Sequence, residues 1–186
     1  MSSTTSTSTS TSIPAGTWAL DPTHTRIGFV ARHMMVTKVR GSFHDFSAEI
    51  EIADDPLTSE LRAEVQMAPI DTGNADRDGH LRTNDFFDIE QHPTMRLVST
   101  GFEGRGDSYV MHADLTIKGV TKPVDFELEF DGVGQDPWGG TRAGFTATAT
   151  INRKDWGIEW NAPLETGGVL VGEKVQIELD LQLVKS

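Results

Sequence analysis

Apolar and polar residues alternate one for one along at least eight separate stretches of this chain. A strand points successive side chains to opposite faces, so a period of two describes a strand with one wet and one dry side. The apolar series run Ile27-Phe29-Ala31, Phe46-Ala48-Ile50-Ile52, Leu61-Ala63-Val65-Met67, Met95-Leu97 and Tyr109-Met111-Ala113-Leu115-Ile117. They continue through Val124-Phe126-Leu128-Phe130, Ala143-Phe145-Ala147-Ala149-Ile151 and Val175-Ile177-Leu179-Leu181-Leu183. The breaks carry turn residues, as in Asp54-Asp55-Pro56, Gly104-Arg105-Gly106-Asp107, Gly119 to Pro123, Asp136 to Gly140 and Gly167-Gly168. Connections this short join hairpins and leave no room for βαβ crossovers. The chain is therefore all-β and antiparallel. Alternation alone fits both a two-sheet sandwich and a closed barrel.

Two segments depart from the period of two. Phe29, His33 and Val36 fall at i, i+4 and i+7, a spacing that predicts one or two helical turns. The other is Thr72 to Asp88, polar, rich in Asp, Arg and His, and closed by Phe86-Phe87. It is far longer than a hairpin loop. Asn74 is placed to cap a short helix ending near Leu81, with Asp76 and Asp78 where the helix dipole favours acids. Asp85 is placed to cap a further helical turn before His92-Pro93.

Composition removes several classes of function. A formal net charge of −12 argues against nucleic acid, which needs a basic face, and against electrostatic docking on an anionic membrane, while a local basic loop can still bind a small anion. Cysteine is absent, so there is no disulfide, thiolate nucleophile or Cys-ligated zinc. Residues 1–16 are mostly Ser and Thr and are expected to form a disordered tail before a single domain over 17–186. They lack the basic start and apolar run of a secretory signal, and no later run is long enough to span a membrane. The chain as written is expected to be cytoplasmic.

The segment Thr72-Gly73 followed by Arg77-Asp78-x-His80-Leu81 and Asp85-Phe86-Phe87-Asp88 resembles the central motif of the YceI family. Further pieces follow the family order: Trp18-Ala-Leu-Asp21-Pro-Thr-His24, Phe29 and His33, Val39-Arg-Gly41-Ser-Phe43, and His92-Pro93-Thr-Met95. Asp114 to Lys122 and Asn152-Arg153-Lys-Asp155-Trp156-Gly157 complete the set. The resemblance covers about residues 17–184. It departs in having Thr25 where Ser is common and Ala113 where Gly is common. It implies an eight-stranded antiparallel, lipocalin-like barrel with a long internal pore, here with one or two short capping helices. It also implies a bacterial protein that binds polyisoprenoids, either polyprenyl phosphates or quinone-type lipids.

An isoprenoid tail makes no hydrogen bonds. Burying one five-carbon unit contributes at most ~4 kcal/mol, against an association cost of roughly 4–15 kcal/mol. A few buried units therefore suffice. The expected lining is Phe29, Phe43, Phe46, Met67, Met95, Phe126, Leu128, Phe145 and Trp156, with Phe86 and Phe87 plugging or gating one end. An anionic head group needs cations. Residues 71–90 hold six acids against Arg77 and Arg82, whereas residues 29–43 hold Arg32, Lys38, Arg40 and His33 without an acid. The head group is thus expected at Arg32, Lys38 and Arg40, with Lys118 and Lys122 as the weaker choice. Asp76, Arg77, Asp78 and His80 read as a structural cap held by hydrogen bonds and ion pairs. The alternative gives Asp76, Asp78 and His80 to a metal or to hydrolysis, and a third reading is a stress-related barrel with a filled interior. Ser42 and Ser99 are the evident serine nucleophiles of the folded part, but no nucleophile elbow or phosphate-binding glycine loop is present. No cofactor, resident metal or catalytic residue is expected. A homodimer is compatible with a barrel that has exposed ends.

Overall fold

The computed structural model of the chain describes residues 13–165, 168 and 170–186. It contains β1 (Gly16–Leu20), β2 (Arg26–His33), β3 (Thr37–Phe43), β4 (Phe46–Ile52), β5 (Glu60–Gln66) and one α-helix, α1 (Ala75–Leu81). The remaining strands are β6 (Thr94–Arg105), β7 (Ser108–Ile117), β8 (Val120–Gln135), β9 (Thr141–Asn152) and β10 (Val171–Lys185). All pairings are antiparallel. A ring of eight strands runs β1-β4-β5-β6-β7-β8-β9-β10 and closes through β1–β10. Closure removes every exposed edge from that ring.

β2 and β3 extend two staves of the same barrel. β10 pairs with β1 at Leu183 to Lys185 and with β2 at Val171 to Asp180, so β1 and β2 share one edge of β10. β4 pairs with β1, and β3 with β2. Ten segments thus form eight long staves, two of them interrupted, at residues 21–25 and at His44-Asp45. The first break is organised by Asp21. Its carboxylate accepts from the Thr23 amide at 2.9 Å and pairs with His24 at 2.8 Å and with Arg142 of β9. These partners, His24 first and then Arg142, hold the Asp21 carboxyl at about 2, against the opposing effect of burial.

The predicted helical turns at Phe29, His33 and Val36 do not form. Arg26 to His33 is strand, and the chain reverses through Met34-Met35-Val36. Pairing with β10 and β3 outweighs a spacing that only three residues supported. The helix capped by Asn74 forms as expected, its side chain accepting from the Arg77 amide at 3.0 Å. The second helical turn, capped by Asp85, does not form. Residues 84–87 and 89–91 make turns, separated by Asp88 with φ +48°. Two 3-10 turns, Pro56–Thr58 and Arg153–Trp156, complete the secondary structure. The latter ends at Gly157 with φ +75°, a left-handed conformation that glycine adopts without strain.

The long connections gather at one end of the barrel: residues 67–93 with α1, the β2–β3 turn, the β7–β8 turn and residues 153–165. At the other end Trp18, Ile50, Ala143 and Leu183 form a compact plug against which Ile13 packs. The Trp18 indole donates to the Pro14 carbonyl at 3.0 Å. Of the tail expected over 1–16, residues 1–12 lie outside the described residues. Among the described residues no helix is long and apolar enough to cross a membrane.

Candidate ligand cavity

The inward side chains follow from strand parity. On β2 these are Ile27, Phe29 and Ala31, which face Phe43, Gly41 and Val39 of β3 in register. Gly41 is required there, because a Cβ would stand 2.3 Å from the Phe29 ring. On β10 they are Val175, Ile177, Leu179, Leu181 and Leu183, and on β8 Phe126 and Leu128. Together with Phe102, Met111, Leu115 and Phe145 they surround an internal cavity of about 220 Å³. One water needs roughly 10–15 Å³ on such a scale. The wall is almost wholly apolar; among the described residues Ser59, Glu60 and Arg153 are its only polar members. A void of this character has no hydrogen bonds to offer water and favours hydrocarbon.

Arg153 is 4 % exposed, and burial pushes its guanidinium below its ordinary pKa. It donates to the carbonyls of Ile158 at 2.8 Å, Gly172 at 2.9 Å and Val171 at 3.3 Å. Its nitrogens are engaged in pinning the 3-10 turn to the start of β10. Trp156 lies beside it and donates from the indole to the Leu115 carbonyl at 3.0 Å.

The lid over the long-loop end holds itself together. Asp78 is 8 % exposed and accepts from both the amide and the hydroxyl of Thr72. Arg77 donates to the Thr72 hydroxyl and to its carbonyl, each at 2.8 Å. Arg82 donates to the Ala68 carbonyl at 2.7 Å, and Lys118 from the β7–β8 turn donates to the Asn84 carbonyl at 2.9 Å. His80 pairs with Asp85 at 2.8 Å and sits edge-on to Phe86 and Trp160, with ring centroids 5.0 and 4.7 Å away. Phe86 and Phe87 face the cavity beneath this network. A two-residue bridge, Ser42 with Asp71, ties the lid to the outer edge of β3.

Of the expected lining, Phe29, Phe43, Phe86, Phe87, Met95, Phe126, Leu128, Phe145 and Trp156 all border the cavity. Phe46 and Met67 do not; they pack with Val65 and Ile70 in a separate cluster under the lid. Within the expected cap, Arg77, Asp78 and His80 form the bonds described, whereas Asp76 is exposed at the start of α1 and bonds to none of them. Arg32, Lys38 and Arg40, expected at a head group, lie on the β2–β3 hairpin outside the cavity wall. They occupy the outward parity of β2 and β3, where Arg32 stands opposite Lys38 and Arg40 opposite Val30. They are exposed, and none borders the cavity. His33 closes β2 at the hairpin and lies outside the lining. Lys122 is exposed on β8, and Lys118 serves the lid.

The cluster offered for the alternative chemistries is not assembled. Asp76, Asp78 and His80 do not converge: Asp78 turns to Thr72, and His80 to Asp85. Among the described residues no group of three or more His, Asp or Glu side chains is arranged to hold a metal. Ser42 lies 3.3 Å from His44, and His44 lies 3.5 Å from Asp71. Both contacts use the same ring nitrogen, Nε2, so Asp71 cannot orient the imidazole from the opposite side as a triad acid does. The Ser99 hydroxyl accepts from the Leu61 amide at 2.9 Å. Sequence reasoning missed Trp160, which sits in a loop without periodicity. It also missed the burial of Arg153, although the Asn152-Arg153 to Gly157 motif was in view.

A closed eight-stranded antiparallel barrel with an apolar interior and a capped end is a lipocalin-like fold. A family model described as the YceI-like domain matches residues 18–183, and the chain belongs to that family. A UPF0312 protein of Staphylococcus epidermidis is 42 % identical over 161 residues, covering 85 % of this chain and 91 % of its own length. One of Photorhabdus laumondii is 39 % identical over 137 residues, covering 73 % and 71 %. Among solved structures, Burkholderia cenocepacia BcnA superposes with a TM-score of 0.74 at 22 % identity, over 88 % of this chain and 98 % of its own. A polyisoprenoid-binding domain from Saccharophagus degradans, implicated in plant cell wall breakdown, superposes with a TM-score of 0.69 at 17 % identity. It covers 91 % of this chain and 98 % of its own.

Proposed function

We propose that this barrel binds the apolar tail of an amphiphilic isoprenoid lipid non-covalently and carries or sequesters it, without catalysis. The observation that carries the reading is the cavity: about 220 Å³ bordered by aromatic and aliphatic side chains, with Arg153 turned onto backbone carbonyls. A tail with no hydrogen-bonding groups matches an almost wholly apolar wall, and its polar head belongs outside that wall. Family membership and the fold shared with a polyisoprenoid-binding domain agree with this reading.

The protein purified without detergent, then denatured and extracted with organic solvent, is expected to release a prenyl lipid in near-stoichiometric amount by mass spectrometry. An extract without lipid, together with no uptake of a short prenyl alcohol or quinone by the purified protein, overturns the reading. A polyprenyl phosphate and a quinone are both outcomes within it, and the extracted mass separates them.

A further inference from the structure

We propose that the β2–β3 hairpin is a docking finger for an anionic lipid surface, its apolar tip entering the interface while the cations behind it meet lipid phosphates. Met34, Met35 and Val36 are consecutive and 48 %, 57 % and 77 % exposed. Soluble surfaces scatter large apolar residues singly and seldom present three in a row at the tip of a projection. The backbone adds a second anomaly. Met34 and Met35 both have positive φ, +53° and +65°, the sign pattern of a type I′ turn, where asparagine and glycine are the residues that fit. An unfavourable conformation kept by two methionines points to a need for their side chains.

The charge is equally local. Between Asp21 and Asp45 there is no acid, and Arg26, Arg32, Lys38 and Arg40 fall in that span of a chain whose net charge is −12. Arg32 and Lys38 stand directly opposite one another on the outer face, a like-charge pairing that weakens a sheet. Among the described residues neither has a carboxylate at ion-pair distance; Glu178 takes Arg40 at 3.4 Å and Arg26 at 3.9 Å. The acids of the same barrel end lie on the lid and at Asp155, Glu159, Glu165 and Glu173, of which Glu173 is paired with Lys154 at 2.8 Å. They keep the whole end from seating flat on an anionic bilayer, which leaves the finger as the point of contact. The finger is fixed to the barrel. The Met34 amide donates to the Leu170 carbonyl at 2.7 Å, and Met35 lies so close over Gly168 that a Cβ there would meet its sulfur. An apolar tip ahead of cations is the arrangement that binds lipid interfaces, with hydrocarbon burial and phosphate attraction acting together.

The test uses the full chain and sedimentation with vesicles of phosphatidylcholine alone or mixed with phosphatidylglycerol. These lipids make the result independent of what the cavity holds. The protein is expected to bind the anionic vesicles, with salt weakening the binding. The Met34→Ser/Met35→Ser/Val36→Ser and Arg32→Glu/Lys38→Glu variants are each expected to bind ~tenfold or more weakly. Met34→Asn/Met35→Gly, which suits the turn, removes misfolding as a cause of loss and is expected to bind as weakly as the serine variant. Trp138→Ser changes an 86 % exposed tryptophan at the opposite barrel end and is expected to bind like the parent. Absent binding by the parent, equal binding by the finger variants, loss confined to the charge variant, or equal loss in Trp138→Ser would each overturn the proposal.

Discussion

The lid and the β2–β3 hairpin sit at the same end of the barrel and handle polar residues in opposite ways. The lid is dense in Asp, Arg and His, yet Thr72, Arg77, Asp78, His80, Arg82 and Asp85 bond to one another or to lid backbone. The hairpin is sparse in such residues, yet Arg32 faces Lys38 and two methionines hold left-handed backbone. A cluster of chemistry-bearing side chains whose donors and acceptors are matched internally is a fastener. Groups left unmatched, held at a conformational cost, are where an external partner fits. If this contrast is right, damage to the lid should appear as lost stability, and repair of the hairpin should appear as gained stability.

The largest effect is expected at Phe86. It is buried beneath the lid with its ring 5.4 Å from that of Trp160, and it borders the cavity. Phe86→Ala removes the aromatic bridge between the two long loops and enlarges an existing void, at a cost of about 3–4 kcal/mol. Urea unfolding measures this, and a loss below ~1 kcal/mol would show that the lid does not depend on its aromatic underside.

Asp78→Ala comes next. It leaves the amide and hydroxyl of buried Thr72 without their acceptor, at an expected cost of about 2–3 kcal/mol. Asp78→Asn keeps an acceptor oxygen at the same place and should recover more than half of that loss. Equal losses in the two variants would mean that the carboxylate charge, rather than the accepted hydrogen bonds, secures the lid.

These residues also mark how far the sequence could be read. Alternation located the staves because a half-buried strand writes its two faces directly into sequence. Asn74 located α1 because capping is local chemistry. Phe29, His33 and Val36 misled because three residues matched a helical spacing while Ile27, Phe29 and Ala31 still alternated. That same alternation already places Arg32 on the outer face: with Phe29 and Ala31 inward, Arg32 must point out. Register supplied what alternation lacks, since nothing local shows that β2 continues the stave begun by β1. The contact of Trp160 with His80 likewise brings together two loops far apart in sequence and has no local signature.

The hairpin prediction has the opposite sign. Met34→Asn/Met35→Gly replaces two side chains that resist positive φ with residues that accept it and should raise stability by about 1 kcal/mol. The gain is smaller than the summed relief of strain, because Met35 loses its packing over Gly168. Thermal unfolding without lipid tests this. A destabilised variant would mean that the methionines serve the fold, and the hairpin would then join the lid as a fastener.

The smallest effect is expected from a polar cluster that has the density of the lid without its burial. On the outer wall, His112 of β7 bridges Asp125 of β8 at 2.6 Å and Glu103 of β6 at 2.7 Å. The Asp125 and Glu103 carboxylates, in that order, raise the pKa of His112 above its ordinary value of 6.5. A raised folded-state pKa means that the protonated imidazole favours the fold. The stabilisation is complete below pH 6.5 and is lost as pH rises through the folded value. Water competes for every partner here, so the change should be small. NMR titration should place the midpoint above 6.5, and His112→Gln should flatten stability against pH over that window. A pH dependence as large as the Asp78→Ala effect would break the comparison, since matching without burial would then fasten the fold as firmly as matching with it.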